Sequence, residues 1–548
     1  MIIRAPCRAE FFISLERLAM IIALLLMVIF LAFVVLLYKK RIAAMLALPV
    51  MALLFAVTAN VPRDYILEKI LEEGPLRFGP AIMAAIFGGM LALFIKNQGI
   101  AEGLVRYAAE LGGERPLALA FSMMMVTALL FTLLGGLGTV IMVGSIILPI
   151  MLSVGIAPLT AACIMLLGLA MGGMLNLGNW QLYISVLGLE QAQVREFMVI
   201  VFGLFFVVGT LFCVLSLRRT KLHRFWPAPS ETATITVPAL RRLALLAPLT
   251  PLACALFLHW PIVPSFIVGL LFTLLVSSQQ GQVAVLSLLV LLANVTGAAK
   301  FFPALHATHT GPATGVFEAA IYGFLVLLPF ILWTAVAIWY ASKRLTSWRT
   351  NLALLTPLVP LFLIHLLHWD IIAAFITGML LAIVVTVRHE TIQIFTKSVL
   401  EGFESVGPPV ILIIGIGILY ATVEHPNIRS ALQPFITRLT PSSATAFVII
   451  FGLLAPLALY RGPLNIWGMG SGFAGIMLAA GALPPEAIMA VLASLGAIQG
   501  VCDPTNTHNV WIASFNKVDT LDILKRTIIF IWPMAVVALA IAAMIYFK

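Results

Sequence analysis

Gly144-Ser145-Ile146-Ile147-Leu148-Pro149-Ile150-Met151-Leu152-Ser153-Val154-Gly155-Ile156-Ala157-Pro158 returns 326 residues later as Gly470-Ser471-Gly472-Phe473-Ala474-Gly475-Ile476-Met477-Leu478-Ala479-Ala480-Gly481-Ala482-Leu483-Pro484. The same offset pairs Gly136 with Gly462 and Ala161 with Ala487. A leucine-rich composition does not by itself place Gly, Ser, Pro and a contiguous Ile-Met-Leu in register, so the chain reads as two copies of one unit.

The rest of the chain names the solvent. Its 548 residues are 62% hydrophobic and only 10% charged, with a mean hydropathy of +1.12, outside the range of soluble domains. Apolar runs of about 20 residues, the length that crosses a bilayer, recur from Ile21 to Tyr546. Spans are expected at 20–38, 42–59, 79–96, 117–134, 158–176, 196–217, 243–260, 262–277, 282–297, 319–340, 352–368, 371–387, 408–423, 443–460, 485–502 and 523–547. Polar windows such as Thr220–Thr236 are too short for an aqueous catalytic or nucleic-acid-binding domain. The net charge of +10 then reads as positive-inside loops, not as a footprint for nucleic acid.

Cys7, Cys163, Cys213, Cys254 and Cys502 are scattered without paired spacing, which implies neither a disulfide framework nor a zinc site. Leu18–Tyr38 is too long for a signal-peptide core and lacks a small-residue cleavage site before Lys39-Lys40-Arg41, so it reads as a retained helix. Residues 1–19 read as a tail or an over-extended start. No HExxH, GxSxG, Walker A or dinucleotide fingerprint is present, and no enzyme, metal site or cofactor is expected.

A second repetition has an offset of 109: Leu243-Ala-Leu-Leu-x-Pro-Leu-x-Pro-Leu252 returns from Leu352, with 16 identities over positions 243–275, which marks a duplicated central block. The expected organisation is a tail at 1–19, repeat A at 20–217 with a glycine-rich hairpin at 135–153, an inserted block at 240–340, and repeat B at 350–547 with a hairpin at 461–480. The fold class is an all-α polytopic membrane protein of two repeated units, expected to be inverted. Each should carry a re-entrant hairpin and a discontinuous helix. An inverted repeat needs an odd number of crossings between the hairpins, so one short segment within 262–297 is expected not to cross.

In hydrocarbon, non-helical backbone survives only where it lines a protein cavity. Glycine-rich breaks repeated in both halves are therefore site candidates, since Pro463, Asn465 and the glycines would let a hairpin enter and leave on one side. Close helix packing by small residues is the plainer reading. After the next span, Asn176 and Asn179 in one half answer Asp503, Thr505, Asn506, Thr507 and His508 in the other. Such polar density after an apolar helix fits an unwound segment that supplies ligands, or an ordinary cap cluster. Arg461 could fork onto a carboxylate or snorkel to the interface. Asp503 could carry a coupling proton or Na⁺, and His508 could titrate near neutrality. His306 and His309 read as loop residues, and His259-Trp260 and His368-Trp369 as interfacial anchors.

Two halves, each with a glycine-rich hairpin and then a helix broken at Asn or Thr, resemble the ion transporter superfamily of carboxylate permeases, which includes citrate, C4-dicarboxylate and gluconate carriers. Pro357–Leu361 is similar to the start of the second repeat in several of those families. The resemblance implies uptake of an organic anion coupled to Na⁺ or H⁺, an elevator-like movement of the hairpin domain, and often a homodimer. It also implies hairpin tips at Gly138-Thr139 and Asn465 and helix breaks at Asn176, Asn179, Thr505, Asn506 and Thr507. The chain departs from the dicarboxylate carriers in having Thr505-Asn506-Thr507 in one half only and in its middle block.

The expected function is secondary active symport of a small carboxylate in a lipid bilayer, the bacterial cytoplasmic (inner) membrane, with Na⁺ or H⁺ as coupling ion. The alternatives are a cation/proton antiporter or amino-acid carrier of the same fold, or a non-catalytic membrane partner subunit.

Overall fold

The computed structural model describes residues 8–39, 41–98, 100–113, 115–132, 135–218, 245–276, 363, 371–387, 389–441, 443–461, 464–467, 470–481 and 483–547. The spans expected at 282–297 and 319–340, nearly all of 352–368, and the pair His306/His309 lie outside them. Every regular element among the described residues is helical.

In the first half these are α1 (Arg8–Tyr38), α2 (Ala44–Thr58), a π-helical turn (Ile66–Glu73) running into a 3₁₀ turn (Gly74–Leu76), α3 (Gly79–Asn97), α4 (Ile100–Gly112), α5 (Pro116–Phe131), α6 (Gly136–Ser153), α7 (Pro158–Met174), α8 (Leu177–Leu187) and α9 (Gln191–Leu217). The tail expected at 1–19 is thus helical from Arg8 onward. The middle contributes α10 (Thr250–Phe257) and α11 (Ile262–Val276). Then come α12 (Ile371–Thr386), α13 (His389–Ser405), α14 (Gly407–Val423), α15 (Pro426–Leu439), α16 (Ala444–Leu454) with a 3₁₀ extension (Ala455–Arg461), α17 (Gly470–Ala480), α18 (Pro485–Cys502), α19 (Thr507–Asn516) and α20 (Thr520–Tyr546).

These boundaries fit the repeat read from the sequence. Helices α4 and α15 open 326 residues apart, at Ile100 and Pro426. Helices α6 and α17 both run into a left-handed glycine, Gly155 (φ 85°) and Gly481 (φ 61°), again 326 apart. Only glycine takes that conformation at no steric cost. Helices α9 and α20 are each 27 residues long and follow an acidic cap residue, Glu190 and Asp519. Their offset of 329 shows that the register has slipped. Most of the slip arises in the breaks: two residues, Leu175 and Asn176, separate α7 from α8, whereas four, Asp503 to Asn506, separate α18 from α19. The 109-residue repetition fits as well, since Ile262 and Ile371 open α11 and α12, which pack on each other.

The chain forms two compact units, Met1–Gly89 with Ala101–Glu231 and Phe403–Lys548, and Met90–Ile100 with Thr232–Gly402. This division cuts across the repeats. In the second unit Asn97 Nδ2 donates to Ser398 Oγ at 2.9 Å and Phe94 meets Phe395 edge-on with centroids 5.3 Å apart. Trp260, expected as an interfacial anchor, is buried and follows a left-handed His259 (φ 56°).

In the first unit α7 lies against α5. A Cβ on Gly168 would stand 2.6 Å from Met124 O, and one on Gly172 only 2.2 Å from Ala128 O, so the backbones meet where small residues recur four apart. The stretch Pro485–Asn516 has 72% of its most apolar window buried, against 33–44% for the other candidate spans. It therefore runs through the middle of the unit.

Five helices among the described residues are long and apolar enough to cross a membrane, or up to seven if each bent pair is one span. Three helices that lie outside the expected spans are shorter. Helices α8, α17 and α19 have 11, 11 and 10 residues. At 1.5 Å per residue they reach roughly 15–17 Å, about half of a ~30 Å hydrocarbon core. The chain is an all-α polytopic membrane protein.

Candidate functional site

Both discontinuous helices are present, and asparagine makes each break. Asn176 caps α8 by accepting from Asn179 N at 3.2 Å, and its Nδ2 donates to Phe131 O at 3.1 Å. Asn179 Nδ2 reaches back to Gly173 O at 2.8 Å, and Trp180 Nε1 to Met174 O at 2.7 Å. The carbonyls freed where α7 unwinds, and one where α5 ends, are thus taken up by side chains. The two sections of this helix meet at a bend of 49°.

The break in repeat B has the same plan with a wider gap. Asn506 caps α19 at 3.5 Å from His508 N, and Asn509, three residues past that cap as Asn179 is past Asn176, donates from Nδ2 to Val501 O at 2.8 Å. Asp503, fully buried, accepts from Thr505 N at 2.8 Å and Thr505 Oγ1 at 2.7 Å through Oδ1. Its Oδ2 has no protein partner, nor has Asn509 Oδ1. A buried carboxylate oxygen left in this way carries a large desolvation cost unless something binds it.

The two breaks lie close together. A Cβ on Gly500 of α18 would stand 3.4 Å from Ala170 Cβ of α7. Counting along the helices, each break begins within about 8 Å of that crossing.

Hairpin turns meet the same place. The stretch 135–153, expected to be a re-entrant hairpin by itself, contains the unbroken helix α6. The chain break lies just before it, between Phe131 and Gly136, and the two arms are α5 and α6. Gly138 and Thr139 therefore belong to the first turn of α6 and not to a tip, and Thr139 Oγ1 donates to Gly135 O at 2.9 Å within that turn. In repeat B the stretch 461–480 holds the end of the 3₁₀ extension of α16 and the whole of α17, with Asn465 in the connection between them. Arg461 ends the 3₁₀ extension. Asn465 is buried; its Oδ1 accepts from Trp467 N at 3.0 Å, and its Nδ2 has no protein partner.

The hairpins are braced across the repeats. Trp467 Nε1 donates to Asn179 Oδ1 at 3.2 Å, and α17 packs on α8. Reciprocally α6 packs on α19, where a Cβ on Gly144 would stand 2.5 Å from the Trp511 ring. Asn176, Asn179 and Asn465 are thus brought together through Trp467, while Asp503, Thr505, Asn506, Thr507 and His508 share the second break. Sequence reasoning did not single out Trp467 or Asn509. The signal for Asn509 was its place three residues after the cap.

No family model matches the chain, and no curated protein matches it. Among solved structures it is similar to the YdaH transporter of Alcanivorax borkumensis, described as having an unusual topology, with 12% identity over 88% of this chain and 89% of that one and a TM-score of 0.48.

Proposed function

We propose that the chain is a secondary active carrier of a small organic anion, coupled to Na⁺ or H⁺, with the solute bound at the two helix breaks and the hairpin turn of repeat B. The observation that carries this reading is the clustering there of three of the buried, unpartnered polar atoms among the described residues, Asp503 Oδ2, Asn509 Oδ1 and Asn465 Nδ2, one of them on a carboxyl group; the others, on Gln98, Ser494 and Asn516, are scattered. An interior that served packing alone would have its polar groups bonded or replaced by apolar ones.

Asp503 is the coupling group of this scheme, with Thr505 holding its other oxygen. Asn465 Nδ2 and the amides at the start of α8 and α19 are the donors for the anion, since helix N-termini favour negative charge. Arg461, at the end of the 3₁₀ extension of α16, is the candidate counter-charge. Asn176, Asn179, Asn506 and Thr507 shape the breaks, and His508 sits in the first turn of α19. The resemblance to carboxylate permeases supports a homodimer in the bacterial cytoplasmic membrane. A second reading, a cation/proton antiporter or amino-acid carrier, is favoured by the negative charge of Asp503.

The test is thermal unfolding of the detergent-purified protein with di- and tricarboxylates, sugar acids, monocarboxylates and amino acids, with and without Na⁺ and at two pH values. A solute at about 100 times its Kd adds roughly 2.7 kcal/mol. Stabilisation by one carboxylate class, followed by gradient-dependent uptake into proteoliposomes, is expected. A response to Na⁺ or pH alone would transfer the reading to an antiporter.

A further inference from the structure

The two breaks are built alike but finished differently. In repeat A, Asn179 has both ends of its amide engaged, Nδ2 on Gly173 O at 2.8 Å and Oδ1 under the Trp467 indole N–H at 3.2 Å. Its counterpart Asn509 makes the matching backward bond to Val501 O at 2.8 Å, yet its Oδ1 has no protein partner. Asn509 and Asp503 are 1% and 0% exposed, so bulk solvent does not reach them. Where repeat A receives a donor from the opposite hairpin, repeat B leaves two oxygens, one of them on a carboxylate, on either side of one short turn. The C-terminal end of α18, with its partial negative charge, precedes that turn.

We infer that the break in repeat B binds one monovalent positive charge through Asp503 Oδ2 and Asn509 Oδ1, and that Trp467 permanently closes the equivalent position in repeat A. The protein therefore has one such site despite its duplicated architecture. The charge is either an inorganic cation or the ammonium group of the solute; both offer a single positive centre to oxygen acceptors. This rests on the carrier reading for its physiological role.

The experiment is a titration of melting temperature in the purified full chain, with NaCl replacing choline chloride at constant ionic strength, and in a second arm with glycine and larger amino acids in choline chloride. For a ligand that binds only the folded state, the limiting dependence of stability on the logarithm of its concentration counts the ligands bound. The expected result is a count of one, abolished in Asp503→Asn and shifted at least tenfold to higher concentration in Asn509→Ala, while Asn179→Ala lowers the melting temperature but keeps the count. If Na⁺ does this, the charge is inorganic; if only the amino acids do, it is the solute's.

A count of two, a response that survives Asp503→Asn, or no response to Na⁺ or amine would overturn the inference, and the count in the unmodified protein decides even if a variant fails to fold. Carboxylates that stabilise the protein independently of Na⁺ and amine would remove this inference and leave the carrier reading intact. A Na⁺ count of one with no effect of any carboxylate would do the reverse.

Discussion

Arg77 and Glu424 meet as a two-pronged ion pair, Nη1 to Oε2 and Nη2 to Oε1, both at 2.7 Å. The guanidinium carbon also lies 4.5 Å from the centroid of the Tyr420 ring. Together they fasten the segment after the π-helical turn to the C-terminal end of α14.

Both side chains are more than a third exposed, so the pair is worth little beyond its geometry. Arg77→Ala is expected to cost about 1 kcal/mol, and Arg77→Lys most of that, because an ammonium cannot reproduce the fork. Thermal unfolding at low and high salt checks this. A loss of equal size at both would assign the effect to the arginine stem packed on Tyr420.

The α5–α7 contact predicts a larger effect. Gly172→Ala puts a methyl group 2.2 Å from Ala128 O, and the helices must separate. A loss of about 1–3 kcal/mol is expected, as for other overpacked positions. An unchanged melting temperature would mean that the two backbones do not approach as described.

The caps differ in weight. Asn176→Ala removes the α8 cap and the donor to Phe131 O, for an expected cost of about 2–3 kcal/mol. Asn506→Ala removes a cap bond of 3.5 Å, for roughly 0.5 kcal/mol. Comparable losses in the two variants would contradict the description of the first break as the more fully bonded.

His425 gives a pH dependence. It follows α14, accepts from Asn427 N through Nδ1 at 3.3 Å and meets Tyr65 edge-on at 4.7 Å, close to Glu424. Burial holds its pKa below the ordinary 6.5. Below 6.5 the unfolded chain takes up a proton that the folded one still refuses, so stability falls as pH drops from 6.5 to the folded value and levels off beneath it. Melting curves between pH 8 and 5 should show this acid limb, and His425→Phe should flatten it. The same limb in the variant would assign it to other groups.

The repeat was legible because its markers are conformational. Gly155 and Gly481 end helices in the left-handed region, and a sequence offset finds them both. The hairpin turn of repeat A was not legible. Thr132-Leu133-Leu134-Gly135 continues the apolar run of α5, and the Phe131 carbonyl before it is satisfied by Asn176, 45 residues away. A break whose hydrogen bonds are supplied from that distance leaves no local signal. Helices α4, α13 and α15 lie outside the expected spans for another reason: they are amphipathic and carry no wholly apolar run, although their period is readable. The positions of Asn179 and Asn509 could be read from the sequence, but not their different partners, because Trp467 comes from the other repeat.

The two additional residues in the second break also carry history. A half-length ancestor could form this paired arrangement only by associating with a second copy of itself, and any insertion would then have altered both copies at once. Two copies carried in one chain are free of that constraint. The turn from Asp503 to Asn506 is a place where the two copies differ in length within one chain.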